Sequence, residues 1–262
     1  MKYKIISMDF DGTLLTSDKK VTENTKNILK KCRNNGFIIV GVTARNLSSV
    51  RSVLDINIFD YIILNNGAFI LDVKTNEISS LGVISREDIN EIKSILKDTS
   101  ADFEYASLNK YYMVGSKDSM GFRININSME DIDEEIVRMN IYFETEDELN
   151  FYKNVILDKV STVNVVAMRN TDNNDSKIWL TINEKNTNKL TTLTKLANDL
   201  NITLDEIIFF GDGENDLLLL ENVGMGVAMG NAINEVKEKS KSITLSNDED
   251  GIYYYLIKNI KI

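Results

Sequence analysis

The sequence contains no histidine, no proline and a single cysteine, Cys32. Without histidine there is no Ser-His-Asp or Cys-His relay, no histidine metal ligand and no phosphohistidine. Proton transfer near neutral pH must then fall to carboxylates, Lys, Tyr or water. One cysteine excludes an internal disulfide and a cysteine-based zinc site. Without proline, turns must rest on Gly, Asn and Asp. No apolar run approaches the ~18 residues needed to span a bilayer. The apolar start, Met1 to Phe10, is too short for a signal peptide and is interrupted by Asp9, so a cytoplasmic protein without a membrane partner is expected.

What is present is ordinary for a globular chain of 262 residues: 43% hydrophobic and 27% charged. Lys and Arg number 30 against 40 Asp and Glu, a net charge of −10. That balance argues against a nucleic-acid partner or an anionic lipid surface. It leaves room for a small phosphorylated ligand, because a metal and a lysine or two can reverse the field locally. Oligomeric state has no signature in the sequence.

The first third alternates apolar strands with helical patterns. Tyr3 to Met8, Phe37 to Val42 and Tyr61 to Leu64 read as buried strands. Thr22 caps a helix with Ile28, Leu29 and Cys32 on one face, and a short helix runs through Val50, Val53 and Leu54. Asn65-Asn66-Gly67 signals a tight turn before Ala68 to Leu71. From Asn188 the pattern resumes: a helix with Leu190, Leu193, Leu196 and Ala197, a strand at Ile207 to Phe210, a short helix at Asp216 to Glu221, and a strand at Val227 to Met229. A helix at Asn231 to Ser240, a strand at Ile243 to Leu245 and a last helix from Gly251 follow.

Strands apolar on both faces and separated by helices imply an α/β fold with a doubly wound, Rossmann-like parallel sheet. The middle is different. Ser85 and Asp88 form a capping box before a helix with Ile89, Ile92, Ile95 and Leu96. More polar strand-like pieces follow at Tyr111 to Val114, Phe122 to Ile126, Ile141 to Glu144, Val163 to Met168 and Lys177 to Ile182, with an Asn/Asp-rich turn at Asp172 to Asp175. The expected organisation is a core of residues 1–82 and 185–262, with an inserted α+β domain, 83–184, whose sheet has one solvated face.

Four apolar strands run into polar clusters: Asp9-Phe10-Asp11-Gly12-Thr13, Thr43-Ala44-Arg45, Asn65-Asn66-Gly67 and Gly211-Asp212-Gly213-Glu214-Asn215-Asp216. In open parallel sheets ligands bind outside the carboxyl ends of the strands, so these clusters should converge. They bring at least four carboxylates together, Asp9, Asp11, Asp212 and Asp216, which calls for a cation. An all-oxygen set points to Mg²⁺.

These clusters, with Lys189 at a helix start, resemble the four motifs of the haloacid dehalogenase superfamily of phosphatases. The stretch Gly226 to Ala232 and the Asp250-Gly251 pair are similar to its Cof-type branch, and the interval between Thr43 and Lys189 suits a C2-type cap. The resemblance implies a Mg²⁺-dependent phosphatase of small phosphorylated metabolites such as sugar phosphates, nucleotides or phosphorylated cofactors, with the cap closing over the crevice. Asp9 would be the nucleophile and Asp11 the acid/base. Thr43, the main-chain N–H groups of Phe10 and Ala44, Lys189 and Asn215 would bind phosphate. Asp9, Asp212 and the Asp11 carbonyl would hold the metal, with Asp216, Gly12 and Thr13 in support. Arg45 reads equally as a phosphate neighbour or a surface ion-pair partner, and Lys185 rivals Lys189. A phosphosugar mutase of the same superfamily and a phosphometabolite sensor without turnover are the alternative readings.

Overall fold

The computed structural model describes residues 2–115, 123–169 and 177–260; Phe122 and the Asp172 to Asp175 turn lie outside the described residues. The chain begins β1 (Ile5–Met8), α1 (Glu23–Asn34), β2 (Ile38–Val42), α2 (Leu47–Val53), β3 (Tyr61–Leu64), β4 (Phe69–Asp72) and β5 (Ile78–Ser80). Next come α3 (Arg86–Ile95), β6 (Asp102–Ala106), β7 (Tyr111–Val114), β8 (Ile124–Asn125), β9 (Arg138–Phe143), α4 (Glu146–Lys159), β10 (Val163–Arg169) and β11 (Ile178–Glu184). It ends with α5 (Lys189–Asp199), β12 (Ile207–Gly211), α6 (Leu217–Asn222), β13 (Met225–Ala228), α7 (Asn234–Lys239), β14 (Ser242–Ile243) and α8 (Gly251–Asn259). Two compact units result: residues 1–45, 49–81 and 188–262 form one, and 46–48 with 82–187 the other. No helix among the described residues is long and apolar enough to cross a membrane.

The first unit is built on an eight-stranded sheet in the order β14-β13-β12-β1-β2-β3-β4-β5. From β14 to β3 the strands are parallel. Every residue of β1 and β12 is buried, as strands covered on both faces must be. One face is packed by Leu193, Leu196 and Ala197 of α5 and Leu219 and Leu220 of α6. α1 starts at the Thr22 cap and buries Thr25, Ile28, Leu29 and Cys32. Chain order reverses between β1 and β12: the chain builds outward through β2 and β3 and then resumes on the opposite flank of β1. That reversal opens a crevice at the carboxyl ends of these two strands.

β4 and β5 leave the parallel pattern and pair antiparallel at the edge. The cause is the turn after β3, where Asn65 and Asn66 take left-handed backbone angles (φ 50° and 57°) and Gly67 has φ 112°. Asn tolerates this region better than other non-glycine residues. The chain doubles back instead of crossing over through a helix.

The second unit is a six-stranded sheet in the order β10-β11-β9-β6-β7-β8, antiparallel except for β7 and β8. Tyr105, Met139, Ile141, Leu180, Ile182 and Val165 pack with Ile89 and Ile92 of α3 and Leu149 and Ile156 of α4. The opposite face is solvated only in part: Asn164, Val166 and Met168 of β10 are exposed, whereas its centre is buried. Glu104 and Asn140 are buried there, Asn140 Nδ2 donating to Glu104 at 2.7 Å. Thr181 Oγ1 donates to Asn140 Oδ1 at 2.9 Å, and Trp179 Nε1 donates to Thr181 at 3.1 Å. Arg123 pairs with Glu104, Arg138 stands 3.8 Å from it, and the Arg138 guanidinium lies over the Tyr111 ring. Long side chains cover the polar centre, so alternating polarity signalled a second face correctly but not the burial of its centre.

Two elements of this unit escape a periodicity reading, β6 and α4. In α4 the apolar residues spread around the helix: Leu149 and Ile156 are buried, whereas Phe151 is 62% exposed. Replacing Leu149 by Ala should therefore cost about 2–5 kcal/mol of stability, the usual range for a core leucine. Phe151→Ala should change it by no more than ~0.5 kcal/mol, as for surface positions. Thermal or urea unfolding of the two variants checks the contrast, and equal losses would refute the packing described.

Candidate active site

Each predicted cluster lies at the carboxyl end of a strand of the first unit. Asp9 follows β1, its N–H donating to the Phe210 carbonyl of β12 at 3.0 Å. The next residues coil tightly, with the N–H of Thr13 and Leu15 returning to Phe10 O and that of Leu14 to Asp9 O. Phe10 itself points into the core, its ring stacked on Phe59 at 5.3 Å between centroids. Gly12 adopts φ +76°, and a Cβ there would meet Asp212 Oδ2 at 2.2 Å. Only glycine combines that backbone with so close a carboxylate. Thr13 Oγ1 then donates to Asp212 Oδ1 at 2.6 Å, fastening the loops after β1 and β12 to each other.

Lys189 is the first residue of α5. Asn188 caps the helix, its side-chain oxygen accepting from Thr191 N, while Thr191 Oγ1 accepts from Asn188 N, each at 3.0 Å. The turn after β3 sets where this helix starts. Thr192 Oγ1 donates to Gly67 O at 2.7 Å, and a Cβ on Gly67 would fall 2.5 Å from Asn188 O. The lysine that results is 3% exposed, with Nζ donating to Asp9 Oδ1 at 2.6 Å and to Asp216 Oδ1 at 2.8 Å. Asp216 is fully buried, and its second oxygen accepts the N–H groups of Asp212 (3.1 Å) and Gly213 (3.2 Å). The rival, Lys185, is exposed and belongs to the second unit.

One ammonium faces three carboxylates here. Oxygens of Asp9, Asp212 and Asp216 lie within 4.8 Å of one another. Burial, reinforced by the neighbouring Asp216 and Asp212 charges, lifts the Asp9 carboxyl to about 7 although Lys189 opposes the shift. Burial likewise raises Asp212. For Lys189 burial acts downward, but Asp216 and Asp9 outweigh it and hold the amine above lysine's usual value. This excess of negative charge among oxygen donors is the composition that accepts a hard divalent cation. Asp216 has both oxygens engaged by nitrogen donors, so Asp9 and Asp212 carry the oxygens best placed for an ion.

Asp11 is not part of this set. Its carboxylate is 41% exposed and accepts a two-pronged contact from Arg45, Nε to Oδ2 at 2.6 Å and Nη2 to Oδ1 at 2.7 Å. Lys19 Nζ adds a third bond at 2.8 Å. These hydrogen bonds, with Arg45's the strongest, pull the Asp11 carboxyl down to about 2. Thr43 is buried, and its hydroxyl accepts from Arg45 N at 3.1 Å. The Thr43-Ala44-Arg45 loop is tied in turn to the β3 turn, Asn66 N donating to Thr43 O and Asn65 N to Arg45 O, each at 3.0 Å. Ala44 is half-buried and Asn215 is exposed on the turn before α6. Lys19 and Asn231 escaped the sequence reading. Asn231 Nδ2 donates to Gly12 O at 2.8 Å. Lys19 sits in a surface turn with no motif to mark it, whereas Asn231 falls in the stretch that carried the Cof-type resemblance.

Comparison with known proteins agrees with this architecture. The family described as haloacid dehalogenase-like hydrolase matches residues 6–256. The 5-amino-6-(5-phospho-D-ribitylamino)uracil phosphatase YcsE of Bacillus subtilis (strain 168) is 26% identical, covering 95% of this chain and 92% of its own. Phosphatase YwpJ of the same bacterium is 24% identical over 97% and 98% of the two chains. A haloacid dehalogenase-like hydrolase from Bacteroides thetaiotaomicron superposes with a TM-score of 0.81 at 25% identity, covering 98% of this chain and 99% of that one. The chain belongs to the haloacid dehalogenase-like hydrolase family and is one of its phosphoric monoester hydrolases, the phosphatases.

Proposed function

We propose that the protein is a Mg²⁺-dependent phosphatase that hydrolyses small phosphate monoesters through an aspartyl-phosphate on Asp9. The first unit is then the catalytic core and the second a C2-type α+β cap. The observation that carries this reading is the buried Asp9–Lys189–Asp216 chain beside Asp212 at the strand-order reversal. Asp9 is anchored on a rigid strand end, and its Oδ2 is not the oxygen that Lys189 holds. That oxygen attacks phosphorus, and the ester oxygen leaves with a proton from Asp11, whose carboxyl must first be raised from its low value in the free site by the anionic substrate beside it. Lys189 stays beside Asp9 and limits the repulsion between carboxylate and phosphate. The Thr43 hydroxyl, already accepting from Arg45 N, is left to donate its proton to a phosphoryl oxygen, alongside the N–H groups of Phe10 and Ala44 and the side chain of Asn215. Gly12 and Thr13 keep Asp212 in place, and Asp216 fixes Lys189. Asp9, Asp212 and the Asp11 carbonyl would hold Mg²⁺, which when bound would supply electrostatic screening of the phosphoryl charge.

The substrate class is small esters: sugar phosphates, nucleotides or phosphorylated cofactors. Because YcsE is named for a phosphorylated ribitylaminouracil, that ester belongs in a phosphate-release screen. Asp9→Asn should lower turnover of any accepted ester by about 10⁴-fold or more. Lys189→Met should lower it by about 10²- to 10³-fold, as loss of one charge-stabilising group does. EDTA should abolish release and added Mg²⁺ restore it; undiminished release from Asp9→Asn would refute the mechanism.

The raised Asp9 carboxyl also predicts how metal-free stability depends on pH. The folded protein binds a proton at Asp9 up to about pH 7, whereas the unfolded chain releases it near the ordinary carboxyl value of 3.8. Between those values the native state holds more protons, so this group's contribution to stability falls as pH rises. The melting temperature of the wild type minus that of Asp9→Asn should therefore decrease from pH 5 to pH 8 without metal. A difference that is flat or rises with pH would contradict the burial-driven shift.

A further inference from the structure

The two cations on Asp11 are not equivalent. Lys19 is a point charge on a half-exposed stem, and it makes one contact, to Oδ1. Arg45 is 20% exposed and grips both carboxylate oxygens with its planar fork. It is itself anchored at three further points: Nη1 donates to Ser49 Oγ at 2.9 Å, its N–H donates to Thr43 Oγ1, and its carbonyl accepts from Asn65 N. A fork fixed at its base sets the orientation of the carboxylate it holds, which a flexible ammonium does not. Oδ1 accepts from Arg45 and Lys19, while Oδ2 accepts from Arg45 Nε. Oδ2 is therefore the less engaged oxygen, with lone-pair capacity left for a proton.

We infer that Arg45 is the positioning residue of Asp11, aiming Oδ2 at the water that hydrolyses the aspartyl-phosphate. The inference rests on the mechanism proposed above. In that step the water oxygen bonds to phosphorus, and one of its protons passes to Asp11 Oδ2. The bond between phosphorus and the Asp9 oxygen breaks, its electron pair returns to the Asp9 carboxylate, and inorganic phosphate leaves with the other proton. The geometry also links phosphate binding to water activation, because Thr43 Oγ1 accepts the N–H of the residue that orients Asp11.

The test follows nitrophenolate release from p-nitrophenyl phosphate with Mg²⁺ by stopped flow. This leaving group departs without a proton, so the first turnover reports attack by Asp9 and the steady state reports hydrolysis of the intermediate. Arg45→Gln should keep the first turnover within about threefold of wild type and leave KM little changed. Its steady-state rate should fall about 10- to 100-fold, the effect expected of a misplaced acid/base group, giving a burst near one equivalent per enzyme. Arg45→Lys, which keeps the charge but loses the fork, should behave like Arg45→Gln. If Arg45→Gln slows both phases in proportion or neither, or if Arg45→Lys restores the steady state, the inference fails. A wild type whose nitrophenolate release is absent, or is unaffected by Asp9→Asn, would instead show that the phosphatase mechanism itself is wrong.

Discussion

A lysine ammonium held out of water between two carboxylates is the contact on which the rest of this site depends. Lys189 could not be buried without the opposite charges of Asp9 and Asp216 beside it. Each of the three is supplied by a different element: the end of β1, the first turn of α5 and the turn before α6. Their meeting fixes where α5 begins. That in turn requires the Asn188 cap and the turn at Gly67 packed against it. Asp216 is held from behind by two backbone N–H groups, so the helix N-terminus and the loop after β12 are locked to the same point.

This arrangement is electrostatically incomplete, which suits phosphoryl chemistry. Three carboxylates to one ammonium leave a negative excess, and burial raises Asp9 toward neutrality. A group tuned in this way is poorly placed for stability and well placed to be completed by a ligand. Asp11, two residues on, has the opposite environment: half-exposed, gripped by Arg45 and Lys19, and held firmly ionised. Two carboxylates on one loop are thereby given different chemical characters by what surrounds them. No histidine is needed for either.

The second unit answers a different physical problem, how to keep a charged centre inside a sheet. Glu104 is buried on β6, and it persists because Arg123, Arg138 and Asn140 converge on it from neighbouring strands. Removing Arg123 or Arg138 would leave that buried carboxylate less well compensated, so the polar face constrains the sequence as the apolar face beneath α3 and α4 does.

Element types were largely legible in the sequence, because they are local. The buried runs at Ile5 to Met8 and Ile207 to Phe210, the caps at Thr22 and Ser85, and the Asn65-Asn66-Gly67 turn each carry their signal within a few residues. The residues expected at the strand ends were legible too, since a parallel sheet puts its loops at one edge whatever their separation in sequence. β6 and α4 were not, because their apolar residues are stabilised by partners on other elements rather than by a regular period. The pairing of charges likewise belonged to the tertiary structure: Lys189 rather than Lys185 on Asp9, and Arg45 with Lys19 on Asp11. Which lysine reaches a carboxylate 180 residues away depends on where a helix starts and how a turn packs against it, and no local pattern encodes that distance.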